Sequence, residues 1–167
     1  MTTTPSTTTR YTEAAIEADP TVPAVHIWRD FDATPAQLMR AHTDPELFAR
    51  WIGPDSVSTR IDHWDCRTLG SYRFINERDG EEFAFRGTFP EISETRLVQT
   101  FTYEGMPEAI ALETMTFEDL GDGRTRLHAF SLCDSFEGRD GMLSSGMDVG
   151  VREGYAKLDG LLAEGAV

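Results

Sequence analysis

Basic residues are scarce in this chain. Its 167 residues include 15 Lys and Arg against 29 Asp and Glu, a formal charge of −14. Nucleic acid and anionic membrane surfaces both require a basic footprint, and no run of Lys or Arg supplies one locally, so both partner classes are excluded. Long apolar runs are missing as well. None approaches the roughly 20 residues that span a bilayer, and the N-terminal MTTTPSTTTRYTEAAIEADP carries no apolar signal-peptide core. Cysteine is rare: Cys66 and Cys133 stand far apart, outside any CxxC spacing. They read as small thiols in or near the core, not as a disulfide scaffold. These absences together point to a cytoplasmic protein.

Signatures of chemistry are also few. The four histidines, His26, His42, His63 and His128, form no HxxxH or HExxH pattern, so no metal site is expected. The serines lack a nucleophile-elbow pattern and no Gly-rich phosphate loop occurs, so no cofactor is expected either. His63 and Asp65 share a strand face and form a candidate orienting pair for general-base work, with a plain surface pair as the alternative. His63 and Cys66, three apart, fall on opposite faces of a strand and cannot chelate one metal there.

What is present is a pattern of strands. The length suits one domain, which can bury roughly 70% of its unfolded surface. Residues 1–22, rich in Thr, read as a weakly ordered arm with a short helical turn around TEAAIEA, and residues 23–167 as the domain. In AVHIWRDFD, Val25, Ile27, Arg29 and Phe31 share one side of a strand, with His26, Trp28 and Asp30 on the other. Thr34-Pro35 and Asp44-Pro45 each open a short helix with an N-cap followed by proline. Six further strands run from Val57 to Cys133, with hairpin signals at Asp79-Gly80 and at Gly121 to Gly123. Arg139 to Glu164 has helical periodicity through Leu143, Met147, Val151, Leu158 and Leu161. The predicted class is α+β: a curved antiparallel sheet of about seven strands around a long C-terminal helix, with two short helices after the first strand.

That helix carries Gly146, Gly150 and Gly154 at every fourth position, although each costs about 1 kcal/mol relative to alanine. Such a face either brings the helix close to its neighbours or leaves volume for a ligand. Arg29 points inward on its strand, and a buried guanidinium needs a partner; Glu113, on a face with Met115 and Phe117, is the candidate. Phe74, Phe83, Phe85, Phe101, Tyr103 and Phe117 fall on successive strands, and Met115 and Met147 add adaptable apolar surface. They form a core or, collectively, the lining of an apolar pocket.

The order of elements resembles the helix-grip arrangement of the START-like (SRPBCC) superfamily. The local stretches RDFDATP, DPELFARWIGP, DCRTLGSYRF, GTFPEISETRLVQTF, MTFEDLGDGRTRL and SFEGRDGMLSSGMDVGVREGYAKLDGLL resemble the branch named after the C-terminal domain of the activator of heat-shock-protein ATPase. The likeness runs from about Val25 to Leu162. Two departures stand out: Leu69-Gly70 where the branch shows Gly-Gly, and Val151 where it often has tryptophan.

The resemblance implies a deep apolar cavity between sheet and helix, carries over no universal catalytic residue, and includes relatives that are often homodimeric. It places Trp51 near a cavity entrance, with a core residue as the alternative, and turns Gly150 and Gly154 toward the cavity. The expected ligand site thus comprises Arg29, Trp51, His63, Phe74, Phe85, Phe101, Tyr103, Glu113, Met115, Met147, Gly150 and Gly154, holding a small apolar or aromatic molecule. Two alternatives stand beside it. One is an enzyme resembling aromatase/cyclases that acts on a polyketide-type substrate, with Arg29, Tyr103 or His63 polarising a carbonyl or moving a proton. The other is a module that activates a chaperone ATPase, against which the single domain and the missing basic surface count.

Overall fold

The computed structural model describes residues 9–167. After the arm's first described residues come β1 (Ala15–Ala18), β2 (Ala24–Phe31), α1 (Pro35–Thr43), α2 (Pro45–Trp51), β3 (Ser58–Trp64), β4 (Ser71–Arg78), β5 (Glu81–Thr88), β6 (Glu91–Ile92), β7 (Arg96–Tyr103), β8 (Ile110–Gly121), β9 (Arg124–Leu132), α3 (Phe136–Ser144) and α4 (Met147–Ala163). The strands form one antiparallel sheet in the order β1-β2-β9-β8-β7-β5-β4-β3, with β6 pairing β7. The sheet is curved and unclosed, and α4 lays Tyr155, Leu158 and Leu161 into its core. This is the α+β helix-grip architecture expected.

The two short helices begin as their sequence dictates. Thr34 makes a capping box with Gln37, and the Asp44 carboxylate accepts from the backbone N–H groups of Glu46 and Leu47. The last carbonyls of α1 are orphans in any isolated helix. Here the Trp51 indole donates to Ala41 O at 2.9 Å and the Trp64 indole to Thr43 O at 2.8 Å. Two tryptophans therefore lock α1 to α2 and to β3.

Three expectations change. The seven strands gain two short neighbours, β1 and β6. β1 lies in the arm expected to be weakly ordered: its Ala15–Ala18 pair antiparallel with Val25 to Trp28, so TEAAIEA forms no helical turn. The Asp19 carboxylate fixes the turn into β2 by accepting from Thr21 and Val22 N–H. Residues 1–8 of the arm lie outside the described residues. The C-terminal helix is two helices: Ser145 donates back to Met142 O, and Gly146 takes φ +87°, which caps α4 and breaks the run. Gly146 therefore belongs to no helical face.

The glycine question resolves toward close approach. A Cβ on Gly154 would stand 2.9 Å from Trp51 O, against backbone that cannot yield, whereas one on Gly150 would meet Pro54 Cδ at an ordinary 3.5 Å. Both positions face the connection between α2 and β3, not open volume. Gly154→Ala should cost about 1–3 kcal/mol by overpacking, while Gly150→Ala should gain up to about 1 kcal/mol in helix propensity. The Leu69-Gly70 pair has a physical reading too. Leu69 is 89% exposed with φ +70°, and a Cβ on Gly70 would lie 1.9 Å from Asp65 O. Left-handed leucine costs about 1–2 kcal/mol, and glycine's extra unfolded-state entropy returns about 0.5–1. Leu69→Gly is therefore expected to raise stability by about 0.5–1 kcal/mol. Denaturant melts of the three variants check each sign.

Candidate functional site

Antiparallel register sets three polar residues side by side on the inner face of the sheet. Gln99 of β7 pairs with Glu113 of β8, and Glu113 pairs with Ser131 of β9. Gln99 Nε2 donates to Glu113 Oε1 at 2.8 Å, and Ser131 Oγ donates to Oε2 at 3.1 Å. Burial pushes the Glu113 carboxyl above the usual carboxylate range, while these two neutral hydrogen bonds pull the other way. Tyr72 of β4 and Tyr155 of α4 are raised first by burial and next by the Glu113 charge, so the carboxyl is within electrostatic reach of both.

Around this row the inner face is only partly covered. Phe85, Gln99, Phe101, Glu113, Met115 and Ala129 all retain accessible surface. Their neighbours Tyr72, Phe74, Leu97, Phe117, Leu127 and Ser131 are buried. The half-buried row is therefore bordered by fully buried residues of the same face. Met142 and Leu143 of α3, and Met147 and Val151 of α4, are likewise half-buried against the same core. Ring stacking joins Phe74 to Phe85 at 5.2 Å, Phe85 to Phe101 at 5.3 Å and Phe85 to Tyr103 at 5.3 Å. Seven of the expected residues thus gather here: Phe74, Phe85, Phe101, Tyr103, Glu113, Met115 and Met147.

The others lie elsewhere. Arg29 does not pair with Glu113; it makes a bidentate pair with Asp159 of α4 and donates to Asp30 O at 2.7 Å. Register explains the miss. Arg29 pairs across β9 with Leu127 and through it with Phe117, four residues and about 13 Å along β8 from Glu113. Arg29 instead borders a separate cleft of about 460 Å³ with Arg10, Asp32, Arg124, Asp159 and Leu162.

Trp51 is 4% exposed, edge-on to His42 and Phe48, and marks no entrance. His63 is exposed on the outer face and contacts Ser71 Oγ at 2.9 Å. It does not pair with Asp65, which lies beyond the end of β3 and holds Arg67 at 2.9 Å. Gly150 and Gly154 face the α2–β3 connection, as above. Gln99 and Ser131 escaped the sequence reading, although each is a polar residue at an inward position of an alternating strand.

A second polar cluster lies on the outer face. Asp19 Oδ2 meets His26 Nε2 at 2.8 Å, and His26 Nδ1 meets His128 Nε2 at 2.9 Å. Trp28 stacks on both imidazoles, and Tyr11 on Trp28. The hydrogen bond from His26 holds Asp19 well below the usual carboxylate range, and burial followed by the neighbouring His26 lowers His128 to about 4. Among the described residues no three His, Cys, Asp or Glu side chains converge as metal ligands would, both cysteines are free thiols, and no helix is long and apolar enough to cross a membrane.

The sequence also matches a family model. Residues 32–163 fit the family described as "Activator of Hsp90 ATPase homolog 1-like protein". The chain belongs to this family. Solved structures share the fold of this AHSA1-like chain. A Rhodobacter sphaeroides protein superposes with a TM-score of 0.81 at 24% identity, covering 90% of this chain and 98% of its own. A protein from Arthrobacter aurescens gives 0.81 at 23%, covering 90% and 91%. DynU16, from the dynemicin biosynthetic locus, gives 0.65 at 20%, covering 86% of this chain and 48% of its own. No curated protein matches the AHSA1-like chain.

One buried base near this region makes acid a test of the fold. His42 Nδ1 donates to Leu38 O at 2.7 Å, and its ring packs edge-on against Trp51 and Phe117. Burial lowers it to about 4 from an unfolded value of 6.5, against the opposing pull of the Leu38 carbonyl. The unfolded chain then binds the proton first. His42 leaves stability untouched above about pH 6.5 and removes up to about 3 kcal/mol as pH falls toward 4. Denaturant melts across this window should show the loss, and His42→Phe should show correspondingly less of it.

Proposed function

We propose that this AHSA1-like protein binds a small, mostly apolar molecule between the inner face of the sheet and the α3–α4 pair. The observation that supports this reading is the half-buried row around Glu113, bordered by buried residues, together with the half-buried Met142, Leu143, Met147 and Val151 packed against the same core. Apolar clefts with a few convergent polar groups are the usual form of small-molecule sites. Aromatic rings from β4, β5 and β7 supply flat apolar walls. Methionines at the α3–α4 joint supply surface that adapts to shape.

The cyclase-like alternative has one observation behind it, the fold shared with a protein of the dynemicin biosynthetic locus. Its expected polar residues do not support it. Arg29 is committed to Asp159, His63 faces outward, and only Tyr103 lies near the patch. Fold alone does not confer chemistry. Binding is therefore the reading that the geometry favours.

Filling the patch tests it. Val151→Trp places an indole beneath the helix, whereas Val149→Trp adds one at a position that is 51% exposed. With the neutral dye phenylnaphthylamine as probe, Val151→Trp should weaken binding by about tenfold or more while Val149→Trp leaves it unchanged. A folded Val151→Trp protein that binds the dye as the parent does would remove the reading.

A further inference from the structure

We propose that Glu113 binds its ligand as a neutral carboxylic acid, donating a hydrogen bond to a carbonyl or similar acceptor on an otherwise apolar molecule. This inference rests on the cavity reading above and names the chemistry at its floor.

Hydrogen-bond donors and acceptors decide the orientation. An amide N–H can only donate, so Gln99 Nε2 at 2.8 Å marks Glu113 Oε1 as an acceptor. In the neutral acid Oε1 is then the carbonyl oxygen and Oε2 the hydroxyl. The Ser131 hydroxyl at 3.1 Å can turn either way. With the cavity empty it can accept the Oε2 proton. With a ligand acceptor present, Ser131 donates to Oε2 and the acid proton points to the ligand. The row is therefore satisfied in both states, and no buried side-chain nitrogen or oxygen among the described residues lacks a partner.

Charge around the carboxyl favours the neutral form. None of the facing elements offers it a cation. β7 and β9 contribute Gln99 and Ser131, β4 contributes Tyr72, and α4 contributes Tyr155; all four are neutral, and Cys133 after β9 is a thiol raised by burial. On α3, Arg139 is spent on the carbonyls of Asp19 and Ala24 and on Asp140. On α4, Arg152 pairs with Asp148 and Lys157 with Asp55, while Glu153 accepts from Asp55 N–H. Burial raises Glu113 with no ion pair to oppose it. A neutral acid among aromatic rings is a hydrogen-bond donor, and it selects for a ligand acceptor.

Three matched probes test the assignment by calorimetry: acetylnaphthalene, ethylnaphthalene and naphthylethylamine. The ketone should bind the parent protein about tenfold more tightly than the hydrocarbon, and the preference should fade as pH is raised and Glu113 ionises. Glu113→Gln keeps an N–H donor in place of the acid proton, so it should retain the preference and lose its pH dependence. Glu113→Leu should bind both neutral probes equally. Difference infrared spectra at neutral pH should contain a carboxylic-acid carbonyl band that Glu113→Gln lacks. Equal binding of ketone and hydrocarbon by the parent protein, or tightest binding of the amine, would overturn the acid role and leave the cavity standing. Failure of all three probes would overturn the cavity reading and this inference with it.

Discussion

The seat of α4 on the backbone that leaves α2 fixes how closely the helix lies against the rest of the fold. Gly154 rests where any side chain would strike Trp51 O. Trp51 in turn is held by its indole to the last turn of α1. From that fixed point the C-terminal half of α4 reaches down: Tyr155 meets Phe31 edge-on at 5.3 Å, and Leu158 is fully buried. A buried leucine of this kind is worth about 1.5–3 kcal/mol relative to exposure. The N-terminal half has no such anchor. Met147 and Val151 remain half-buried there, packed against the edge of the core. One close contact thus seats the C-terminal half of α4 on the core, beside the cleft that Arg29 and Asp159 border.

Most of the fold was legible because each element carried a local signal. Alternation marked the seven long strands, and the turn at Asp79-Gly80 has positive φ at both residues, 52° and 81°, as that dipeptide predicts. β1 was not legible, since AIEA becomes a strand only by pairing with β2, a tertiary event. The break before α4 was hidden because Gly146 keeps the helical spacing of its neighbours, and only its φ reveals the cap. The site shows the same division. Alternation tells which face a residue takes, and it put both Arg29 and Glu113 inside correctly. It does not tell which row they occupy. Register separated them and joined Glu113 to Gln99 and Ser131 instead.

The strand β2 shows how fully the sheet is used. All eight of its residues are buried, so both faces are covered along its length. The inner face meets α4. The outer face meets Tyr11, Asp19 and their aromatic and imidazole partners. Asp30 and Arg126, each 5% exposed at the side chain, pair at 2.8 Å across β2 and β9, and the Asp30 carboxylate also accepts from Tyr11 N–H. A buried pair of this kind adds little net stability, yet removing one partner costs about 3–5 kcal/mol. Its effect here is to hold one alignment of the arm, β2 and β9.

An unclosed sheet has two edges, and β3 is one of them. An exposed edge is a template on which another chain can add a strand. The bulge between Ile61 and His63 interrupts the even spacing such an addition needs. Arg60, Asp62 and His63 stand exposed along the same strand, with Arg60 and Asp62 tied to Glu82 and Arg73. A docking strand would have to desolvate these charges while two molecules of charge −14 approached each other. The open sheet therefore carries a colloidal hazard at its rim, and the irregular, charged β3 opposes the addition of a further strand at that edge.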